Sequence, residues 1–179
     1  MSSLLPTYSP TKILLQIDPD LPNSTYNGRV KIDYQFTDET SEIKIQASRD
    51  FQWTSVRMAT FYQFNEGYPV YASVDVDDYT YDPDSEAPGA TEGIYALDET
   101  TIEANLTNGN AHKVFPCYEG VQAKFWLTVI TDERTRVETN LNDAGHEDLE
   151  GRVKQNFTQE EPISIDDISF RITPIIDME

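Results

Sequence analysis

Apolar side chains in this chain recur at every second position, with Val30, Ile32, Tyr34 and Phe36 in one run and Ile43, Ile45 and Ala47 in the next. A period of two puts those side chains on one face of a pleated strand, and neither run fits the wider spacing of a helix. The same reading predicts strands over residues 12–18, 53–64, 70–76, 93–97, 123–131, 134–139, 152–157 and 168–175. Between them stand the turn dipeptides Asn27-Gly28, Pro83-Asp84, Pro88-Gly89, Asn108-Gly109 and Ala144-Gly145. Short strands broken by frequent turns predict an all-β, antiparallel β-sandwich. With no internal repeat and no linker, residues 1–179 are expected to form one domain, a length that buries roughly 70% of its unfolded surface without a disulfide or metal staple.

Charge restricts the partners. Thirteen basic residues against 32 acidic ones give a formal charge of −19, which repels phosphate backbones and anionic lipid at long range. Nucleic acid and membrane are therefore not expected as partners. A basic protein surface or peptide suits this charge, although an acidic coat also serves simply to keep a small domain in solution. A lone Cys117 has no internal partner, which points to a reducing compartment. The opening Met1-Ser-Ser-Leu-Leu-Pro6 has neither the basic nor the apolar region of a secretory leader, and no run approaches the ~18 apolar residues of a membrane helix. The expectation is a cytoplasmic protein, secreted only if a leader has been removed. Three N-x-[ST] sequons, at Asn23, Asn105 and Asn156, would matter in that case.

Residues capable of catalysis are sparse. The chain has two histidines, His112 and His146, and the sequence His146-Glu-Asp-Leu-Glu150 lacks the second histidine that would put two zinc ligands on one helical face. No metal or other cofactor is expected, since the scattered glycines form no phosphate-cradling loop either. Cys117 lies five residues from His112, yet a thiol between Pro116 and Tyr118 in an apolar segment reads as a small buried hydrophobe. Glu160-Glu161 and Asp166-Asp167 are adjacent pairs, whose side chains on strands or turns generally point apart, and they read as separate surface charges. The acidic stretch 75–92 predicts a long exposed loop or hairpin tip. Its Asp75, Asp77, Asp78, Asp82 and Asp84 are candidate calcium ligands that lack the EF-hand order. Phe51, Trp53, Phe61, Tyr62, Phe64, Tyr68 and Tyr71 crowd one region, so some are expected outside the core, where aromatics bind protein or carbohydrate.

One stretch is more particular. Ala111-His-Lys-Val-Phe115-Pro116-Cys117-Tyr118-Glu119-Gly-Val-Gln122-Ala-Lys-Phe125 resembles the segment A-R-x-x-F-P-C-[FWY]-D-E-P-x-x-K-A-x-F of zinc aminopeptidases of the aminopeptidase N and puromycin-sensitive type. The likeness extends along the chain. Tyr8 to Leu21 and then Tyr26-Asn-Gly28-Arg-Val30-Lys-Ile32 resemble the family's Y-x-L-x-I-x-P-D-L and F-x-G-x-V-x-I, with Gly28 expected in the turn between two pairing strands. Thr40, Ile43, Ile45 and Ala47 resemble T-x-x-I-x-L-x-A, Gly93-Ile94-Tyr95 resembles G-[LF]-Y, and Thr139-Asn140 resembles S-N. Val153 to Phe157, Pro162 to Ser164 and Ile168 to Phe170 resemble the closing v-x-F-x-x-T-P-x-M-S-T-Y-L-x-A-F. The resemblance implies the family's N-terminal β-sandwich domain, without the H-E-x-x-H of its catalytic domain.

The departures fall where the family binds substrate. Its amine-holding Glu of T-Q-x-E falls on Thr107 and the Gln on Asn105, the Arg of A-R falls on His112, and D-E-P becomes Glu119-Gly120-Val121. Thr107 cannot supply the negative charge that an ammonium requires. The resemblance thus implies a non-enzymatic protein-binding or scaffold module, with Phe115, Pro116, Cys117 and Phe125 as retained framework. Its expected interface, to a protein partner or a second copy, takes in Asn105, Thr107, His112, Tyr118, Glu119 and Gln122, with Tyr118 as aromatic anchor. Two alternatives remain open at this point: an N-terminal piece that completes the peptidase cleft of another chain, and a carbohydrate- or calcium-binding sandwich.

Overall fold

The computed structural model describes residues 8–20, 25–37, 42–48, 51–61, 71–81, 93–96, 100–117 and 120–175. Eleven strands make up most of it: β1 (Tyr8–Asp20), β2 (Thr25–Phe36), β3 (Phe51–Phe61), β4 (Tyr71–Tyr81), β5 (Gly93–Ala96), β6 (Ile102–Asn105), β7 (Gln122–Asp132), β8 (Thr135–Thr139), β9 (Asn142–Leu149), β10 (Arg152–Ser164) and β11 (Ser169–Pro174). They form a seven-stranded sheet of order β3-β4-β2-β1-β7-β10-β9 and a four-stranded sheet of order β5-β6-β11-β8. The class is all-β. No helix among the described residues is long and apolar enough to cross a membrane.

Alternation in sequence becomes alternation in burial. On β1, Ile13, Leu15 and Ile17 are buried, and on β7 Ala123, Phe125, Leu127, Val129 and Thr131 face inward in unbroken succession. Ile102 and Ala104 of β6, Phe170 and Ile172 of β11 and Val137 of β8 supply the same core from the smaller sheet. Buried apolar area, at about 25 cal/mol per Å², is the principal force joining the two layers.

Several expectations are corrected. The large sheet is mixed, because β1 runs parallel to β7, from Lys12↔Lys124 to Ile17↔Val129; the other pairings are antiparallel. Residues 43–47 alternate in burial but form no strand. A single bridge, Gln46↔Cys117, holds them, so the periodicity reflects one side facing the core rather than ladder pairing. Gly28 lies inside β2, opposite Ile17 and Tyr79, beside a register shift between Gly28 and Val30 against β4. The glycine marks a bulge there instead of a turn.

Ala144-Gly145 also sits inside a strand. Gln155 pairs with His146 and Phe157 with Asp143, so two residues of β9 oppose Asn156 alone, and Gly145 takes the positive φ of 94° that this bulge uses. The acidic stretch begins in β4, which runs to Tyr81, and its remainder lies outside the described residues, as do Tyr62, Phe64 and Tyr68. Strands β6 and β9 had no counterpart in the sequence reading. All eight residues of β9 are exposed, so this strand exists through pairing with β10 and carries no apolar pattern to read.

Candidate functional site

The segment between β6 and β7 is where the sequence placed function. It begins with a 3-10 turn over Thr107–Lys113, broken at Asn108 and Gly109, whose φ values are 56° and 80°. Asn and Gly are the residues that reach this left-handed region at least cost. After the turn the chain dives inward, and Val114, Phe115 and Cys117 have no exposed surface. Phe115 packs on Phe125 of β7 with ring centroids 6.0 Å apart. Cys117 is a free, buried thiol.

A diving loop must satisfy its backbone without a ladder. Residues 42–48 supply much of what is needed: Gln46 N donates to the Cys117 carbonyl at 2.8 Å, Cys117 N returns a bond to Gln46 O at 3.0 Å, and Ser48 N donates to His112 O at 2.9 Å. The hydroxyl of Tyr26, on β2, donates to the Val114 carbonyl at 2.7 Å with the Lys113 carbonyl at 3.3 Å. Tyr8 holds the other end of residues 42–48 by accepting from Lys44 N at 2.7 Å, and its ring meets Tyr34 edge-on at 5.7 Å. Gly93 closes the remaining side. Its φ is 76°, and a Cβ there would stand 3.1 Å from Lys113 Cβ, so the position demands glycine twice over.

On the outside, the predicted interface residues separate. Asn105 Oδ1 accepts from Thr107 N at 3.1 Å and from Thr107 Oγ1 at 2.6 Å, so this pair bonds to itself at the surface. His112 is half-buried, its Nδ1 2.6 Å from Gly109 O. Gln122 is exposed at the start of β7, in register with Ser164. Tyr118 and Glu119 lie outside the described residues. A second 3-10 turn, Ile165–Asp167, meets this end: Ile165 N donates to Val121 O at 3.5 Å, and Asp166 Oδ1 accepts from Gly109 N at 3.4 Å. Asn140 ties it to β8 and β11, donating to Asp167 O at 2.7 Å and accepting from Ser169 N at 3.0 Å. The sequence reading names Tyr26 in the family resemblance and Asp166 in an acidic pair, but connects neither to the segment it bonds, since each lies far from it along the chain.

Among the described residues no group of three or more His, Cys, Asp and Glu side chains gathers as a metal-ligand set. A bidentate ion pair lies elsewhere, in a cleft lined by Asp18, Asp20, Asn27, Asp132 and Arg152. Arg152 Nη2 donates to Asp18 Oδ1 at 2.5 Å and to the Ile130 carbonyl at 2.9 Å, and Nη1 donates to Asp18 Oδ2 at 3.2 Å. The hydrogen bonds that Asp18 accepts raise the guanidinium pKa, partly offset by desolvation and aided by the charges of Asp18 and Asp132. This fork staples β10 to β1 across β7. Its side chains are 37% and 31% exposed, so Arg152→Met is expected to cost only about 1 kcal/mol, as for solvated pairs. Urea unfolding measures it, and a loss above about 3 kcal/mol would mark a pair with the energetics of buried charge.

Fold and site together define an all-β, two-sheet protein with a loop plugged into its core. No protein-family model matches this chain, and no curated protein aligns with it significantly.

Proposed function

We propose that this chain is a non-catalytic protein-binding module related to the N-terminal domain of zinc aminopeptidases, with the surface of residues 105–122 as its interface. One observation supports this reading above the others. Residues that carry the resemblance hold the plug: Gly93 against Lys113, Phe115 and Cys117 inside, and Asn140 beneath the adjoining turn. Thr107, at the position of the family's amine-holding Glu, is instead bonded to Asn105, at the position of its Gln, on the surface. A retained framework with an altered rim suits binding better than peptide hydrolysis.

Two measurements test the proposal. The purified chain is expected to hold less than stoichiometric zinc by elemental analysis and to release no amino acid from aminoacyl reporter substrates. Metal at one equivalent with chelator-sensitive turnover would refute the non-catalytic half. For the interface, Thr107→Lys, Tyr118→Ala and Glu119→Lys are compared with the unmodified chain in affinity purification from the native source. Loss of a specific partner supports the surface, recovery of a zinc-peptidase catalytic chain favours the cleft-completing alternative, and an unchanged partner set eliminates the surface.

A further inference from the structure

Strands β3 and β9 are the two outer strands of the large sheet, and the chain treats them in opposite ways. An outer strand offers a row of backbone N–H and C=O groups to any extended segment unless something blunts it. On β9 the blunting is thorough. It carries Asp143, Glu147 and Asp148, every residue is exposed, and the Ala144-Gly145 bulge interrupts its line. On β3 it is absent. The sequence Phe51-Gln-Trp-Thr-Ser-Val-Arg-Met-Ala-Thr-Phe61 contains no acid, no proline and no glycine, in a chain with 32 acidic residues, and its register with β4 runs without a shift from Phe51↔Tyr81 to Phe61↔Tyr71.

The side chains of β3 point the same way. Val56 and Met58 are 59% and 65% exposed. They stand opposite Val76 and Val74 of β4, which in turn pair with Val30 and Ile32 of β2, both buried in the core. Directly paired residues share a face of the sheet. Val56 and Met58 therefore extend the register line of Val30 and Ile32 to the outermost strand of the sheet, where both are more than half exposed.

We propose that the outer edge of β3 is a docking site for an extended segment of a basic partner, which adds as an eighth strand and lays apolar residues at alternate positions beside Val56 and Met58. Two features define this occupant. An open strand edge is satisfied in full only by another strand, which fixes the backbone geometry. The charge of −19 fixes the sign: it attracts a basic segment at long range and repels a second copy of the same chain. The proposal is independent of residues 105–122 and of any family relationship.

The test uses the full chain and a fluorescein-labelled peptide, Lys-Val-Lys-Val-Lys-Val-Lys, against a block-ordered peptide of identical composition, by fluorescence anisotropy. The alternating peptide is expected to bind at least tenfold more tightly, and amide hydrogen exchange is expected to slow along β3 when it does. The double variant Val56→Lys/Met58→Lys should lose at least tenfold in affinity with its melting temperature unchanged, since both sites are exposed. Val56→Ser/Met58→Ser, which leaves the charge alone, is the second variant if the first fails to fold. Equal affinity for the two peptide orders, or binding that neither variant weakens, would overturn the proposal. A dimer that forms through β3 and is abolished by the variants would overturn its choice of partner.

Discussion

Phe115→Ala is expected to lower the unfolding free energy by about 3–5 kcal/mol, the range for emptying a fully buried aromatic site. The ring has no exposed surface and rests on Phe125, itself fully buried. What makes the site costly is its location in a loop pinned on three sides, by Gln46, by Tyr26 and by Gly93, which leaves little freedom to collapse around the void. For a chain of this length such a loss moves the melting temperature by roughly 6–20 °C. Phe115→Leu, closer in volume and apolar, is expected to stay within about 1.5 kcal/mol. Urea unfolding of both variants reads the difference. A cost below about 1 kcal/mol for the alanine variant would mean that the ring lies outside the core.

Tyr26→Phe removes one oxygen and is expected to cost about 1–3 kcal/mol, the penalty for leaving a buried acceptor without its donor. The acceptor is the Val114 carbonyl, and Tyr26 itself is 2% exposed, so water has poor access to replace the lost hydroxyl. Cys117 gives a local readout. Its thiol is buried and its backbone is bonded both ways to Gln46, so labelling of the native protein must wait for the plug to open. If the Tyr26 bond holds the plug shut, its loss accelerates labelling by tenfold for each 1.4 kcal/mol. Global destabilisation of the same size placed far away, as in Val137→Ala on β8, should leave native-state labelling much closer to that of the unmodified chain. Equal acceleration in the two variants would show that Cys117 reports whole-molecule unfolding and that the clamp is not local.

How much of this was legible in the sequence depends on what each feature rests on. Strands β1 and β7 were readable because burial on one face writes a period of two directly into Ile13, Leu15, Ile17 and Phe125, Leu127, Val129. Strand β9 was not, because pairing through the backbone leaves no mark on Asn142 to Leu149. Gly28 and Gly145 were misread as turns for a related reason, since a bulge and a turn ask the same freedom of a glycine and only the pairing partner tells them apart. At the candidate site, burial of Phe115 and Cys117 could be anticipated from their apolar surroundings. The clamp from Tyr26 could not, because 88 residues separate it from Val114. The outermost place of β3 is a property of strand order, which local pattern does not encode.

The parallel joint between β1 and β7 has a consequence in time. Strands β1 to β4 form one side of the large sheet and β7, β9 and β10 the other, so β1·β7 is the seam between an earlier and a later half of the chain. The small sheet is divided at the matching place, with β5 and β6 from the earlier half meeting β11 and β8 from the later one. As the chain leaves the ribosome, β2 can fold back on β1 at once, but the far side of β1 must wait for β7. At ordinary rates of synthesis that interval is on the order of ten seconds. Through it, the strand destined for the middle of the sheet is an outer edge, carrying Ile13, Leu15 and Ile17 with nothing above them. The vulnerable moment of this protein therefore falls during its own birth, and a nascent-chain chaperone that shields a bare strand would matter most before residue 132 emerges.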